Sequence, residues 1–185
     1  MLGVDPGYGN TGVVLRLHSE ADAKAAVCYR NDQPTDEWDI LRSEAICIPM
    51  IEQIVAWINT YDIEELEVCL EVPFYAKNAQ VLLKQMTLFV LIQKYVWDYL
   101  VPIVDEVYLT IVSNKTSKAK LAHGGADKLE MVKASPWAGN NDITFNQAHT
   151  LADAYAHSLS SGGHGALALH KLSQYMVEAN HYEEE

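Results

Sequence analysis

The sequence predicts an α/β domain, a mixed five-stranded sheet flanked by helices. Short apolar runs end in Gly and Pro, the segments between them carry apolar residues at helical spacing, and the length suits one core. The chain has 185 residues, 49% of them hydrophobic, which is enough to bury one good core, and a single domain over residues 1–185 is expected.

The elements follow in order. Leu2-Gly3-Val4-Asp5, the turn Pro6-Gly7-Tyr8-Gly9-Asn10 and then Thr11 to Leu17 read as strand, tight turn and strand. Ala25 to Arg30 is a third strand, and Asp32 to Glu37 is polar and turn-like. From Trp38 or Ser43 to Tyr61, Ile46, Met50, Ile54, Trp57 and Ile58 recur at helical spacing, with a kink or a helix start expected near Pro49. Leu66 to Val72 alternates as a short strand, and Ala76 to Leu100 is a long apolar helix stopped before Pro102.

Val104 to Val112 supplies β-branched residues for the fifth strand. Lys115 to Ala134 reads as a Gly-Gly loop between helical stretches, and Ser135 to Asn141 as a loop. Phe145 to Ser160 is a helix rich in alanine, broken at Gly162-Gly163, and a last helix is expected from Ala166 to Ala179.

Composition narrows the classes. Lys84, Gln85, Gln93, Lys94 and Asp98 interrupt the longest apolar stretch, Val81 to Leu100, so it reads as a buried helix rather than a membrane span. Met1-Leu2 runs straight into a strand, unlike a signal peptide. Cys28, Cys47 and Cys69 lie at unrelated spacings in apolar segments, as packed, reduced thiols of a cytoplasmic protein do. The net charge of −12 opposes broad nucleic-acid binding. Yet Lys115, Lys118, Lys120, Lys128 and Lys133 fall in one stretch whose acids are Asp127 and Glu130. That stretch is either a phosphate-binding patch or a solvated lysine face.

Three carboxylates are poorly explained by folding alone. Asp5 ends the first apolar strand, Glu71 ends the strand Leu66 to Val72, and Asp153 interrupts the small, apolar helix face Leu151 to Ala156. A buried carboxylate is costly unless it is paired or binds a metal. Carboxylates at strand ends, facing a helix that carries another, could hold Mg²⁺ or Mn²⁺ for phosphodiester hydrolysis, a chemistry that uses two ions roughly 3.5–4 Å apart. His149 lies one helical turn before Asp153 and shares its face, as a metal ligand or a proton carrier. His157 continues the stripe one turn further on and is expected to be structural. Asp127 is expected to start a helix beside Lys128.

Four segments, in order, resemble the RuvC family of Holliday junction resolvases, within the RNase H-like superfamily. They are Leu2-Gly3-Val4-Asp5-Pro6-Gly7 with Thr11-Gly12, Glu71-Val72-Pro73-Phe74 with Ala76-Lys77-Asn78-Ala79, His123-Gly124-Gly125-Ala126-Asp127-Lys128, and Ala152-Asp153-Ala154-Tyr155-Ala156. The resemblance implies an RNase H-like fold and a homodimer, with the helix from Ala76 contributing to its interface. It implies a two-metal endonuclease that acts on four-way or other branched DNA. Asp5, Glu71 and Asp153 match metal ligands, Phe74 (or Tyr75) an aromatic that stacks at the junction, and Lys128 a phosphate contact, with Lys118 or Lys120 a second one.

The chain departs from the pattern in two ways. The family's fourth ligand, three residues before the closing Asp, falls on Thr150, and His149 is the nearest substitute. The chain is also acidic, as a viral or mobile-element relative could be. An altered module that binds nucleic acid or a partner protein without cleavage is the alternative. The segment Gly3 to Thr11 also resembles the phosphate loop of actin-like and sugar-kinase-like ATPases, but those folds need two lobes and this length holds one.

Overall fold

The computed structural model describes residues 1–17, 22–34, 39–73, 78–160 and 166–172. Strands β1 (Leu2–Asp5), β2 (Asn10–Leu15) and β3 (Ala25–Arg30) form an antiparallel meander. Helix α1 (Asp39–Tyr61) leads to β4 (Glu65–Glu71), which pairs parallel with β1. Helix α2 (Ala79–Tyr95) leads to β5 (Glu106–Val112), parallel to β4. Helices α3 (Asn114–Leu121), α4 (Lys128–Ala134) and α5 (Phe145–Ser158) follow. The sheet order is β3-β2-β1-β4-β5-β6.

Side chains alternate between the sheet's two faces. Leu2, Val4, Val13, Leu15, Leu66, Val68 and Leu70 point to one face and form the main core with Ile46, Met50 and Ile54 of α1 and Leu88 and Ile92 of α2. Gly3, Gly12 and Val14 lie on the opposite face, where Val14 packs with Leu151, Ala154 and Tyr155 of α5. A Cβ on Gly3 would lie 1.9 Å from the Ala154 carbonyl oxygen, and one on Gly12 would lie 2.6 Å from that of Thr150. Glycine at both positions is therefore what lets α5 approach the sheet backbone so closely.

The ends of α5 are fixed as well. Thr144 and Gln147 form a reciprocal capping box at its start. At its other end the Arg16 guanidinium donates to the Ser158 carbonyl at 3.0 Å, where a cation complements the helix dipole.

Three expectations need correction. The sheet has six strands, because β6 (Leu167–Ala168) pairs antiparallel with β5 where a helix from Ala166 was expected. Residues 169–172 are helical, so the helix starts three positions later than expected, and its course beyond them lies outside the described residues. A two-residue strand is too short to show alternation, and the buried Leu169 after it suits either reading. Helix α1 starts at Asp39 and runs through Pro49 instead of starting there. The long helix ends its α-helical part at Tyr95 and continues as a π-helical turn over Val96–Leu100 before Pro102.

The three cysteines are free, with Cys47 and Cys69 buried. No helix among the described residues is long and apolar enough to cross a membrane.

Gly12→Ala is expected to destabilise the fold by about 1–3 kcal/mol through overpacking against α5. Gly9→Ala, with open space around its Cβ, is expected to be nearly neutral. Urea unfolding of the two variants checks this, and equal stability would mean that α5 can shift away from β2 without cost.

Candidate active site

The parallel pairing of β1 and β4 places the first two carboxylates. Its register sets Leu2 beside Val68, Gly3 beside Cys69 and Val4 beside Leu70. One step further, Asp5 comes beside Glu71 at the carboxyl ends of adjacent central strands. Open α/β sheets bind ligands at such ends. Both residues fall on the α5 face by alternation, and the close seating of α5 brings Asp153 to them.

His157, one turn beyond Asp153, places Nε2 3.1 Å from Glu71 Oε2. One donor atom each from Asp5, Glu71 and His157 lies within 4.8 Å of the other two. On the other side of Asp153, His149 Nε2 comes to 3.1 Å from Asp153 Oδ2 without forming a hydrogen bond. A cleft of about 390 Å³ opens above this floor, lined by Asp5, Glu71, His149 and Asp153 together with Gln85, Asn114 and Lys128.

Electrostatics set these carboxylates apart from an ordinary buried acid. Burial, and after it the neighbouring Asp153 and Glu71 charges, push the Asp5 carboxyl well above the usual carboxylate range; Lys118 and Lys128 act in the opposite sense. Asp153 is also raised, chiefly by burial, with His149, His157 and Lys118 opposing the shift. Burial lowers His149 despite the adjacent Asp153, which favours the neutral imidazole a metal ligand needs.

The donor set fits a divalent metal. Among the described residues, Asp153 Oδ1 is buried without a hydrogen-bond partner. By contrast Glu67, a buried acid on the same face of β4, accepts a 2.5 Å hydrogen bond from Thr110. A buried acceptor without a partner, among carboxylates that repel one another, is what a bound cation would relieve.

The remaining sequence expectations are placed as follows. Thr150, at the position of the expected fourth ligand, packs its Cγ2 and carbonyl against Gly12, while His149 lines the cleft. Lys128 is exposed at the start of α4, on the cleft wall, and Asp127 caps that helix in a box with Glu130. Lys118 donates to the Ala126 carbonyl at 3.0 Å and contributes to the field at Asp5, Asp153 and His149. Lys120 is exposed in the last turn of α3 and does not line the cleft. Phe74 and Tyr75 lie outside the described residues. His157, expected to be structural, is buried against Glu71 and lies near Asp5 as well. Its four-residue spacing from Asp153 was the available signal.

Solved structures share this architecture. That of Thermus thermophilus RuvC superposes with a TM-score of 0.62 at 19% identity, covering 90% of this chain and 98% of the other. The chain has a RuvC-like fold. T. thermophilus RuvC in complex with a Holliday junction substrate matches with a TM-score of 0.61 at 18% identity, covering 90% of this chain and 97% of that one. No protein-family model and no curated protein matches the chain. The RuvC-like, RNase H-like fold confirms the α/β class, with one strand more than expected.

The raised Asp5 carboxyl predicts a stability effect. An acid whose folded pKa exceeds its unfolded value, here 3.8, binds protons more tightly when folded, so stability falls as pH rises from about 3.8 toward the raised value. Asp5→Asn removes that penalty. In EDTA at pH 7 it should raise Tm, each kcal/mol relieved giving roughly 2–4 °C. Saturating Mn²⁺ should stabilise the wild type more than the variant. Thermal melts test both, and a lower Tm for Asp5→Asn in EDTA would contradict the repulsion.

Proposed function

We propose that the chain is a metal-dependent endonuclease that resolves four-way or other branched DNA. The observation that carries this reading is the convergence of Asp5, Glu71 and Asp153, from three separate elements, on one cleft of a RuvC-like fold. Asp5, Glu71 and Asp153 hold the metal, with His149 in place of the fourth ligand expected at Thr150. When bound, divalent ions supply Lewis-acid polarisation of the phosphodiester and a more acidic water.

The chain's own residues do the rest. Lys128 on the cleft wall meets a DNA phosphate, and Lys118, by holding the Ala126 carbonyl, fixes the Gly-Gly loop that leads to Lys128. Neutral His149 accepts either a metal or a proton. Phe74, with Tyr75 beside it, stacks on bases at the branch point. Lys120 lies on the outer face of α3 and contributes at most a peripheral phosphate contact. The protein works in the cytoplasm, where its three thiols stay reduced.

A second copy completes the assembly. Leu83, Met86 and Val90 form an exposed stripe along α2, with Leu83 66% and Val90 55% accessible, and this stripe is the proposed homodimer contact. Two cleft-bearing subunits would then cut symmetry-related strands. Thr150 favours a second reading, a module that binds branched DNA without cutting it, because it faces Gly12 and leaves the fourth ligand position to His149 alone.

A synthetic four-way junction and a matched linear duplex, each with Mg²⁺, Mn²⁺ or EDTA, separate these readings. Paired, metal-dependent nicks on the junction alone are expected. Asp5→Asn should lose more than the roughly 10–100-fold typical of outer-shell changes while still binding the junction. Binding without cleavage under any metal would favour the non-cutting module, and undiminished cleavage by Asp5→Asn would refute the assigned site. Leu83→Glu combined with Val90→Glu should sediment as a monomer where the wild type sediments as a dimer.

A further inference from the structure

His157 has a burial and a set of contacts that packing alone does not explain. It is 1% exposed, and the ring meets the site through one nitrogen, Nε2, at Glu71. Nδ1 is buried without a hydrogen-bond partner among the described residues. An aliphatic side chain would fill the same space on α5 without carrying a half-satisfied polar ring into the interior. The ring is also placed for more than one partner, because its donor atom, one from Glu71 and one from Asp5 lie within 4.8 Å of each other. An ion seated between them would draw the three atoms inward to bonds of about 2.1 Å. Asp153 Oδ1, buried and unpartnered one helical turn away, independently marks the same region as short of a cation.

We propose that His157 is a metal ligand, so that α5 presents a ladder of His149, Asp153 and His157 and the centre is a mixed nitrogen–oxygen site selective for first-row transition ions over Mg²⁺. This deepens the metal-dependent reading above and rests on it. The ladder follows from helix geometry: residues four apart stack on one face, and one face of α5 looks onto the ends of β1 and β4. His149 serves the cleft side of Asp153 and His157 the closed side, behind Glu71. Two imidazoles among three carboxylates change which ion is preferred. Mg²⁺ seeks a near-octahedral oxygen shell and keeps much of its water, whereas imidazole nitrogen suits ions further along the transition series. The closed position of His157 sharpens this choice, because a ligand sealed from solvent leaves little room for retained water.

Mn²⁺ bound to the metal-free full-length chain reads this out without any cleavage assay. Pulsed electron paramagnetic resonance of the His149→Ala variant should still show imidazole nitrogen coupled to Mn²⁺, and His149→Ala combined with His157→Gln should lose it. Mn²⁺ affinity should exceed that for Mg²⁺ by on the order of tenfold in the wild type. His157→Gln should lower Mn²⁺ affinity at least as much as the roughly 10–100-fold typical of outer-shell ligands. His149→Ala keeps His157 in place, so the nitrogen signal can be read even where the buried His157→Gln substitution impairs folding.

Bound Mn²⁺ with no nitrogen coupling in His149→Ala would overturn the assignment and leave His157 as a positioning partner of Glu71, with the nuclease reading intact. Equal affinity for Mg²⁺ and Mn²⁺ would overturn the selectivity. No Mn²⁺ binding by the wild type would overturn this inference, and only a further failure to cleave junctions with any metal would remove the nuclease reading as well.

Discussion

The site depends on how closely α5 lies on the sheet. Without Cβ atoms at Gly3 and Gly12, the helix backbone comes against β1 and β2, and the Ala154 and Thr150 carbonyls occupy the space that side chains would otherwise fill. The depth of that approach sets the distance from Asp153 to Asp5 and Glu71. Ala154 belongs to the same requirement seen from the helix, packing with Val14 of β2, while Ala152 and Ala156 let Ala126 and Met131 pack on another side of α5. The capping box at Thr144 and the Arg16 contact to Ser158 then fix where along its axis the helix stops.

Assembling the carboxylates this way works against stability. Asp5, Glu71 and Asp153 share a poorly solvated space, and burial with mutual repulsion raises the Asp5 carboxyl. The two helix histidines offset part of this by flanking Asp153, and Lys118 and Lys128 add positive potential from the side of the Gly-Gly loop. A fold optimised for stability alone would satisfy these acids as it satisfies Glu67, with a hydroxyl at hydrogen-bond distance. Glu67 and Asp153, both buried acids, differ in this respect, since Glu67 accepts from Thr110 while Asp153 Oδ1 has no hydrogen-bond partner among the described residues.

Much of this was legible in the sequence because it rests on short periods. Alternation identified β1, β2 and β4, and the three acids stood out as interruptions in apolar runs. His149 and Asp153 were paired by one helical turn. What stayed hidden depends on tertiary distance. The strand β6 has two residues, too few for any period. The choice between Lys118 and Lys120 turns on which way α3 faces, and its register with the Gly-Gly loop appears only when Lys118 reaches the Ala126 carbonyl. The contact of His157 with Glu71 spans 86 positions of sequence and needs the sheet and helix together. Thr150 could be counted as the expected ligand position, but its turn toward Gly12 could not be read from spacing.

The acidity of the chain bears on how such a site meets DNA. A net charge of −12 repels a polyanion at long range, so the whole-molecule field does not steer the encounter. At physiological ionic strength that repulsion is screened beyond about 8 Å, and what remains is local. Lys128 lines the cleft with Asp5, Glu71 and Asp153, and both Lys118 and Lys128 act on the Asp5 carboxyl. On the proposed function, a bound divalent ion would supply reactivity and would also offset the negative charge that a phosphate must approach. If the proposed function holds, metal loading and DNA engagement would be linked, with Lys128 a stronger phosphate contact once an ion offsets the carboxylate floor beneath it.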